Sequence, residues 1–227
     1  MASLPAAAGV EMINGENEGV GAEVTCLVGR CFVVTPGLEP VRALAAGDRL
    51  AQGDRLRVAD GSKIELRLGD DSLVRLDAGS VAVITSLSLD PSTGLRFVDI
   101  GIIMGKLWAS VAKSPSVEDR FDVSTRTTVV SGRGAVFRMN VNDDQAAVIK
   151  VYDGAVEVKS TSSPAPGSAS LDSDQTADSL DSARILEPGQ EMAIHTDGSA
   201  AAPFAFSYDE DLTEWVKWNR ERDGGGK

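Results

Sequence analysis

One histidine and two cysteines are all that these 227 residues offer for metal or imidazole chemistry. Cys26, Cys31 and His195 are too few to make a zinc site. A Ser-His-Asp arrangement has only His195 to use, and no nucleophile elbow stands near it in sequence. Long apolar runs are missing as well. Nothing approaches the ~20 apolar residues of a membrane helix, and Ile100-Gly101-Ile102-Ile103-Met104 is only strand-sized. The amino terminus, MASLPAAAGV, has neither a basic n-region nor an apolar h-region, so the chain is either cytosolic or follows a removed export signal. Positive charge is scarce. The net charge is −12, with residues 1–159 carrying 21 acidic and 17 basic side chains and residues 160–227 carrying 13 and 5. A phosphate backbone would be repelled, which excludes nucleic acid as a partner.

Aromatic residues make up 5% of the chain, and there are 23 glycines, a composition suited to many tight turns. The stretch Gly47–Asp77 sets the pattern. Ile64, Leu66 and Leu68 alternate with Lys63, Glu65 and Arg67, and Val74 and Leu76 alternate with Arg75 and Asp77. A period of two places apolar side chains on one face and charged ones on the other, which predicts a β-meander with one dry and one wet face. Similar runs occupy Val24–Val34, Val81–Leu89, Gly105–Val111, Phe121–Thr125, Val136–Val141, Ala147–Tyr152 and Val156–Val158. Asp153-Gly154 predicts a hairpin between the last two. Leu95–Ile103 has apolar residues on both faces, the pattern of a strand buried on each side.

The prediction is an all-β, jelly-roll-like sandwich of short antiparallel strands with one C-terminal amphipathic helix. Its organisation reads as a flexible arm over 1–22, a β domain over 23–159 and an exposed Ser/Asp-rich loop over 160–184. A closing hairpin of the same domain follows over 185–206, then a helix over 207–223 and a frayed end over 224–227. Two arrangements are open for the thiols. A two-residue turn at Val28-Gly29 would set Cys26 opposite Cys31, within reach of a cross-strand disulfide. A strand running straight through Gly29 would leave them apart and simply packed. The helix is expected to be capped by Asp209, with Asp211, Glu210 and Glu214 at the positive end of its dipole. Leu212, Trp215 and Trp218 form its apolar stripe. That stripe either docks on the β body or binds a partner through its two large tryptophan anchors, so Trp215, Trp218 and Leu212 are the candidate partner-binding residues.

These residues resemble the FecR-like periplasmic domain family over roughly 23–159 and again at 185–198. Gly47-Asp48-Arg49-Leu50 and Gly53-Asp54-Arg55-Leu56 look like the family's doubled Gly-Asp turns. Ser62–Leu76 resembles its strand–turn–strand. Phe121-Asp122-Val123-Ser124-Thr125 is similar to its F-x-V-x-T step, Gly132–Phe137 to its V-R-G-T-x-F segment, and Gly154-Ala155-Val156-Glu157-Val158 to its G-x-V-x-V strand. Ala135 stands where the family usually has threonine, and Gly69-Asp70-Asp71 replaces its usual Asp-Gly. The resemblance implies a β body outside the cytoplasm. Regulatory members add a membrane helix and a cytoplasmic segment that controls a sigma factor. Neither has a counterpart here, so only the extracytoplasmic module carries over.

Nothing in the sequence assembles a catalytic site. The carboxylate pairs Asp70-Asp71 and Asp143-Asp144 fall in hairpin turns, where aspartate is favoured for its backbone hydrogen bonds. They are not placed across a cleft as a glycosidase needs. Gly132-Arg133-Gly134 lacks a P-loop lysine and precedes a strand. The expectation is therefore a protein with no catalytic residues, no cofactor and no metal. It would be an extracytoplasmic interaction or sensing module whose partner is another protein, copies of itself or a surface polymer. The alternative is a self-assembling subunit of a cell-surface layer or filament, recruiting strands at open sheet edges.

Overall fold

A computed structural model describes residues 21–224 apart from 38–39, 90–91, 94, 115, 117 and 161–182. The expected arm, bar its last two residues, and nearly all of the Ser/Asp-rich loop lie outside the described residues. The first strands are β1 (Ala22–Val28), β2 (Cys31–Val34), β3 (Arg42–Ala43), β4 (Arg49–Leu50), β5 (Arg55–Val58) and β6 (Lys63–Leu68). Next come β7 (Leu73–Leu76), β8 (Val81–Leu89), β9 (Arg96–Ser110), β10 (Arg120–Ser124), β11 (Thr128–Gly132) and β12 (Val136–Val141). The chain closes with β13 (Ala147–Asp153), β14 (Val156–Ser160), β15 (Arg184–Leu186), β16 (Gln190–Ile194), β17 (Phe204–Ala205) and helix α1 (Glu214–Gly224).

The pairings resolve into two sheets that share one strand. Sheet A runs β4-β1-β6-β7-β9-β12-β13-β16-β17. Sheet B runs β3-β2-β5-β8-β9-β10-β11-β14-β15. The shared strand is β9. Its Arg96–Met104 portion belongs to sheet B and its Gly105–Ser110 portion to sheet A. The inner faces meet in a single apolar core, with Val24, Leu66, Leu76, Phe137 and Ile149 from sheet A against Leu56, Ile84, Ile100 and Val123 from sheet B. The fold is all-β with one helix, as the alternation predicts. Among the described strands the only parallel neighbours are β9 and β10, joined through the loop after Ser110.

Glycine turns that read as hairpins are mostly corners between the sheets. β13 pairs with β12 and β16, whereas β14 pairs with β11 and β15. Asp153-Gly154 therefore hands the chain from sheet A to sheet B instead of folding it back. Likewise β4, β5 and β6 are not mutual neighbours, and of the expected meander only the β6–β7 hairpin remains. The tandem repeat Ala45-Ala46-Gly47-Asp48 and Ala51-Gln52-Gly53-Asp54 makes two such corners. Each aspartate accepts the backbone N–H three residues back, Ala45 to Asp48 at 2.8 Å and Ala51 to Asp54 at 2.9 Å. Within β9 the switch falls on Gly105, at φ +98°, where a Cβ would come within 2.5 Å of the Ser80 Cα. Only glycine offers that backbone and that space.

The same device decides the cysteines. β1 lies in sheet A and β2 in sheet B, with Gly29 at φ +77° between them. Neither a hairpin nor a straight strand forms, and both thiols are free. β9 also departs from expectation. Its sheet B portion buries Val98, Ile100 and Ile102 on one face only, with Phe97 exposed opposite, while Leu107, Trp108 and Ala109 are buried on both faces.

Candidate functional site

The outer face of sheet A carries a straight row of polar and aromatic side chains, one per strand. Glu65 on β6 lies opposite Arg75 on β7, Arg75 opposite Trp108 on β9, and Trp108 opposite Arg138 on β12. Arg138 then lies opposite Lys150 on β13, and Lys150 opposite Glu191 on β16. The alternation that sends neighbours such as Leu66, Val74 and Ile149 into the core sends these outward. The expected wet face is dry here: Glu65, Arg75, Trp108 and Arg138 are all buried. The C-terminal segment, residues 207–224, covers them.

That covering segment starts differently from the expected helix. Ser207–Asp211 turns without becoming helical, and α1 starts at Glu214. Asp209 is not its cap. Thr213 takes that position, its Oγ1 accepting the Val216 N–H at 3.3 Å. The reason lies in Asp211, which is drawn into the sheet. It accepts from Arg138 at 2.7 Å, from Lys150 at 2.9 Å and from the Tyr152 hydroxyl.

The other end is pinned in the same way. Asp223 accepts Arg75 Nη1 at 2.7 Å and the Trp108 indole N–H at 2.9 Å. Arg222 donates twice to Glu65, at 2.7 and 2.8 Å, and Glu65 also accepts Arg75 Nε at 2.6 Å and Thr25 Oγ1 at 2.8 Å. Between the pins, Trp215, Val216 and Asn219 are buried. Asp211, Trp215, Asn219 and Asp223 recur every fourth residue, and the last three share one helix face. Beside Asp211, Tyr152 stacks on Trp108 at 4.4 Å and Lys150 lies 4.7 Å over the Phe206 ring.

The protonation states follow from these contacts. Burial alone would raise Glu65, but hydrogen bonds from Arg222, Arg75 and Thr25 outweigh it and hold the carboxyl at about 2. Burial also pushes Asp211 up, and the bonds from Tyr152 and Lys150 with the Arg138 charge bring it below the usual carboxylate range. The Tyr152 hydroxyl is pushed up, by burial first and then by bonding to Asp211. Glu65 and Asp211 are thus held as carboxylates at neutral pH, and Tyr152 is held neutral.

Of the three residues expected to bind a partner, Trp215 is buried beside Trp108, within the chain itself. Trp218 is half-buried, stacked on Trp215 at 5.4 Å, with Arg222 5.2 Å and Lys63 5.3 Å from its ring centre. Leu212 remains exposed. The acceptors and donors that meet them escaped sequence reasoning. One signal was legible: the four-residue spacing of Asp211, Trp215, Asn219 and Asp223.

Elsewhere the polar groups are scattered. On the outer face of sheet B, Asp99 lies opposite Asp122. Ser124 donates to Asp99 at 2.7 Å, and Ser131 donates to Asp122 at 2.6 Å. Burial raises the Asp99 carboxyl, assisted by the neighbouring Asp122 charge. Next to it is an open groove of about 410 Å³, floored by Gly101 and flanked by Thr85, Ser124 and Gln145. His195 is exposed in the turn after β16. No cluster of three or more metal-ligating side chains occurs among the described residues, and no described helix is long and apolar enough to cross a membrane.

Residues 54–157 match the family described as FecR protein. The crystal structure of a candidate anti-sigma factor from Parabacteroides distasonis is 21% identical, with a TM-score of 0.50, over 69% of this chain and 62% of that one. A second crystal structure under the same description is 20% identical with a TM-score of 0.49. The chain thus spans less than two thirds of those structures, and at this identity the first likeness concerns the fold alone. No curated protein matches the chain.

Proposed function

We propose that this FecR-domain protein acts outside the cytoplasm as a non-enzymatic sensing module whose output is contact with another protein. The observation that carries this reading is the clasp on sheet A. Glu65, Arg75, Arg138 and Lys150, in one row on sheet A, all bond to the C-terminal segment, so this row of charge is spent on gripping a polypeptide segment. Buried carboxylates fully engaged by arginine, lysine and tyrosine have neither the free lone pairs nor the open cleft that acid–base chemistry needs. The family match over residues 54–157 and the fold likeness to a candidate anti-sigma factor support a regulatory role.

Self-assembly through sheet edges has weaker support. The edge strands β3, β4 and β17 are two residues long and β15 is three. Such short edges give a second copy little to pair with.

A photo-crosslinking amino acid placed at exposed Leu212 in the full chain, expressed in its native host, tests the proposal. The expected result is recovery in the extracytoplasmic fraction with a defined crosslinked protein. Recovery only from the cytoplasm, or crosslinks only between copies of the chain, would overturn it.

A further inference from the structure

The contacts under the C-terminal segment have a polarity unusual for a permanent interior. Only Trp215, Val216 and Asn219 of α1 are buried, and an 11-residue helix has little stability of its own. Beside the small apolar cluster of Trp215 and Val216 with Trp108, its hold on the sheet is ionic: Asp211 with Arg138 and Lys150, Asp223 with Arg75, and Arg222 with Glu65. Buried ion pairs fix geometry well but contribute modestly over water, because both partners must be desolvated. The fit is also incomplete. Arg75 Nη2, Arg138 Nε and the Trp215 indole N–H are buried without a partner. Asn219 reaches Arg75 only weakly, its carboxamide oxygen 3.5 Å and its backbone oxygen 3.4 Å from Nη1.

We infer that the outer face of sheet A is a receiving site for an amphipathic protein helix, and that α1 is its tethered, exchangeable occupant. The partner it fits is a helix carrying tryptophan, a polar acceptor and acid at four-residue intervals, preceded by a non-helical turn with an acid four residues before the tryptophan, the pattern of Asp211, Trp215, Asn219 and Asp223. Arg138 and Lys150 read the first acid. Trp108 and Arg75 read the last, and the buried face between them takes the tryptophan. This inference rests on the protein-interaction reading above and names the partner's chemistry. A partner helix with a carboxylate at the Asn219 position would add charge to the weak contact with Arg75, and so displace α1.

The test uses the full chain and a labelled peptide with the sequence of residues 207–224. In the native chain, amides of α1 should exchange with deuterium at least about tenfold faster than those of β12, as a separately opening unit. Peptide binding, read by fluorescence anisotropy, should be about tenfold tighter to the Asp223→Asn chain than to the native one, because the tethered competitor is weakened. Changing the peptide position corresponding to Asn219 to aspartate should strengthen binding, and changing both acids to asparagine should abolish it. If Asp223→Asn does not fold, Thr213→Ala loosens the helix start without touching the sheet, and the exchange measurement needs no variant. Exchange of α1 only together with β12, or no peptide binding to either chain, would overturn the inference. Peptide binding without a cellular crosslink would sink the extracytoplasmic interaction reading and leave this site standing. A crosslink without peptide binding would do the reverse.

Discussion

The indole N–H of Trp108, at the centre of sheet A, donates to the Asp223 carboxylate at 2.9 Å, 115 residues further along the chain. That one bond joins the strand shared by both sheets to the last turn of the only described helix. Trp108→Phe keeps most of the ring packing and removes the donor. It should cost about 1–1.5 kcal/mol in denaturant unfolding, whereas Trp108→Ala should cost about 3–5 kcal/mol. A Trp108→Phe protein as stable as the native one would mean that the hydrogen bond contributes nothing.

Glu65 holds two arginines at once, Arg75 from within the sheet and Arg222 from the helix. Glu65→Gln leaves the fully buried Arg75 with one carboxylate fewer. The expected cost is about 3 kcal/mol, the penalty for a buried charge losing its partner. A thermal melt within a degree of the native protein would show that the arginines find other acceptors.

Acid should open the clasp. The Glu65 carboxyl ionises at about 2 in the fold against 4.5 in a free chain. On acidification the unfolded chain therefore takes up this proton first. The contribution, about 2–3 kcal/mol, is complete above pH 4.5 and drains away as pH falls toward 2. Asp211, also lowered, acts in the same direction. Asp99, raised by burial, acts in the opposite one, since its protonation relieves a cost. Melting temperatures of the native and Glu65→Gln proteins, measured from pH 6 to 2, should converge as the acid limit is approached. A constant gap would refute the assignment.

Gly105 and Gly61 both have positive φ, but a Cβ at Gly61 meets nothing within 4 Å while one at Gly105 strikes Ser80. Gly61→Ala should cost about 1 kcal/mol for backbone strain alone. Gly105→Ala adds a backbone clash at the sheet switch and should cost several times more. Similar unfolding midpoints for the two would show that β9 can turn its corner another way.

Both thiols are free, Cys31 in the core and Cys26 half-buried outside it. Burial pushes the Cys31 thiol to about 11, so little thiolate forms at neutral pH. Alkylation at pH 7.5 should label Cys26 first, with Cys31 reacting only on unfolding, and a reductant should leave the melting temperature unchanged. Loss of stability in reductant would reveal a disulfide.

The regions of residues facing the core were legible without coordinates. Ile64, Leu66 and Leu68 alternate with charged neighbours, as Ile149 and Val151 do about Lys150, and all five are buried as that alternation requires. A period of two follows from backbone pleating alone, so face and strand identity are local properties. Trp215 was likewise recognisable as part of an apolar helical stripe.

Partnership between strands was not local, and only the tertiary structure decided it. Alternation says which way a side chain points but not which strand lies beside it. Asp153-Gly154 looks like a hairpin in sequence and is a corner in space, because β13 and β14 find better neighbours in different sheets. Glu65 and Arg75 point away from the core, as their positions dictate, yet are dry because a segment about 150 residues downstream folds over them. Covering a charged face requires matched counter-charges from far along the chain, and that match exists only once both sheets are built.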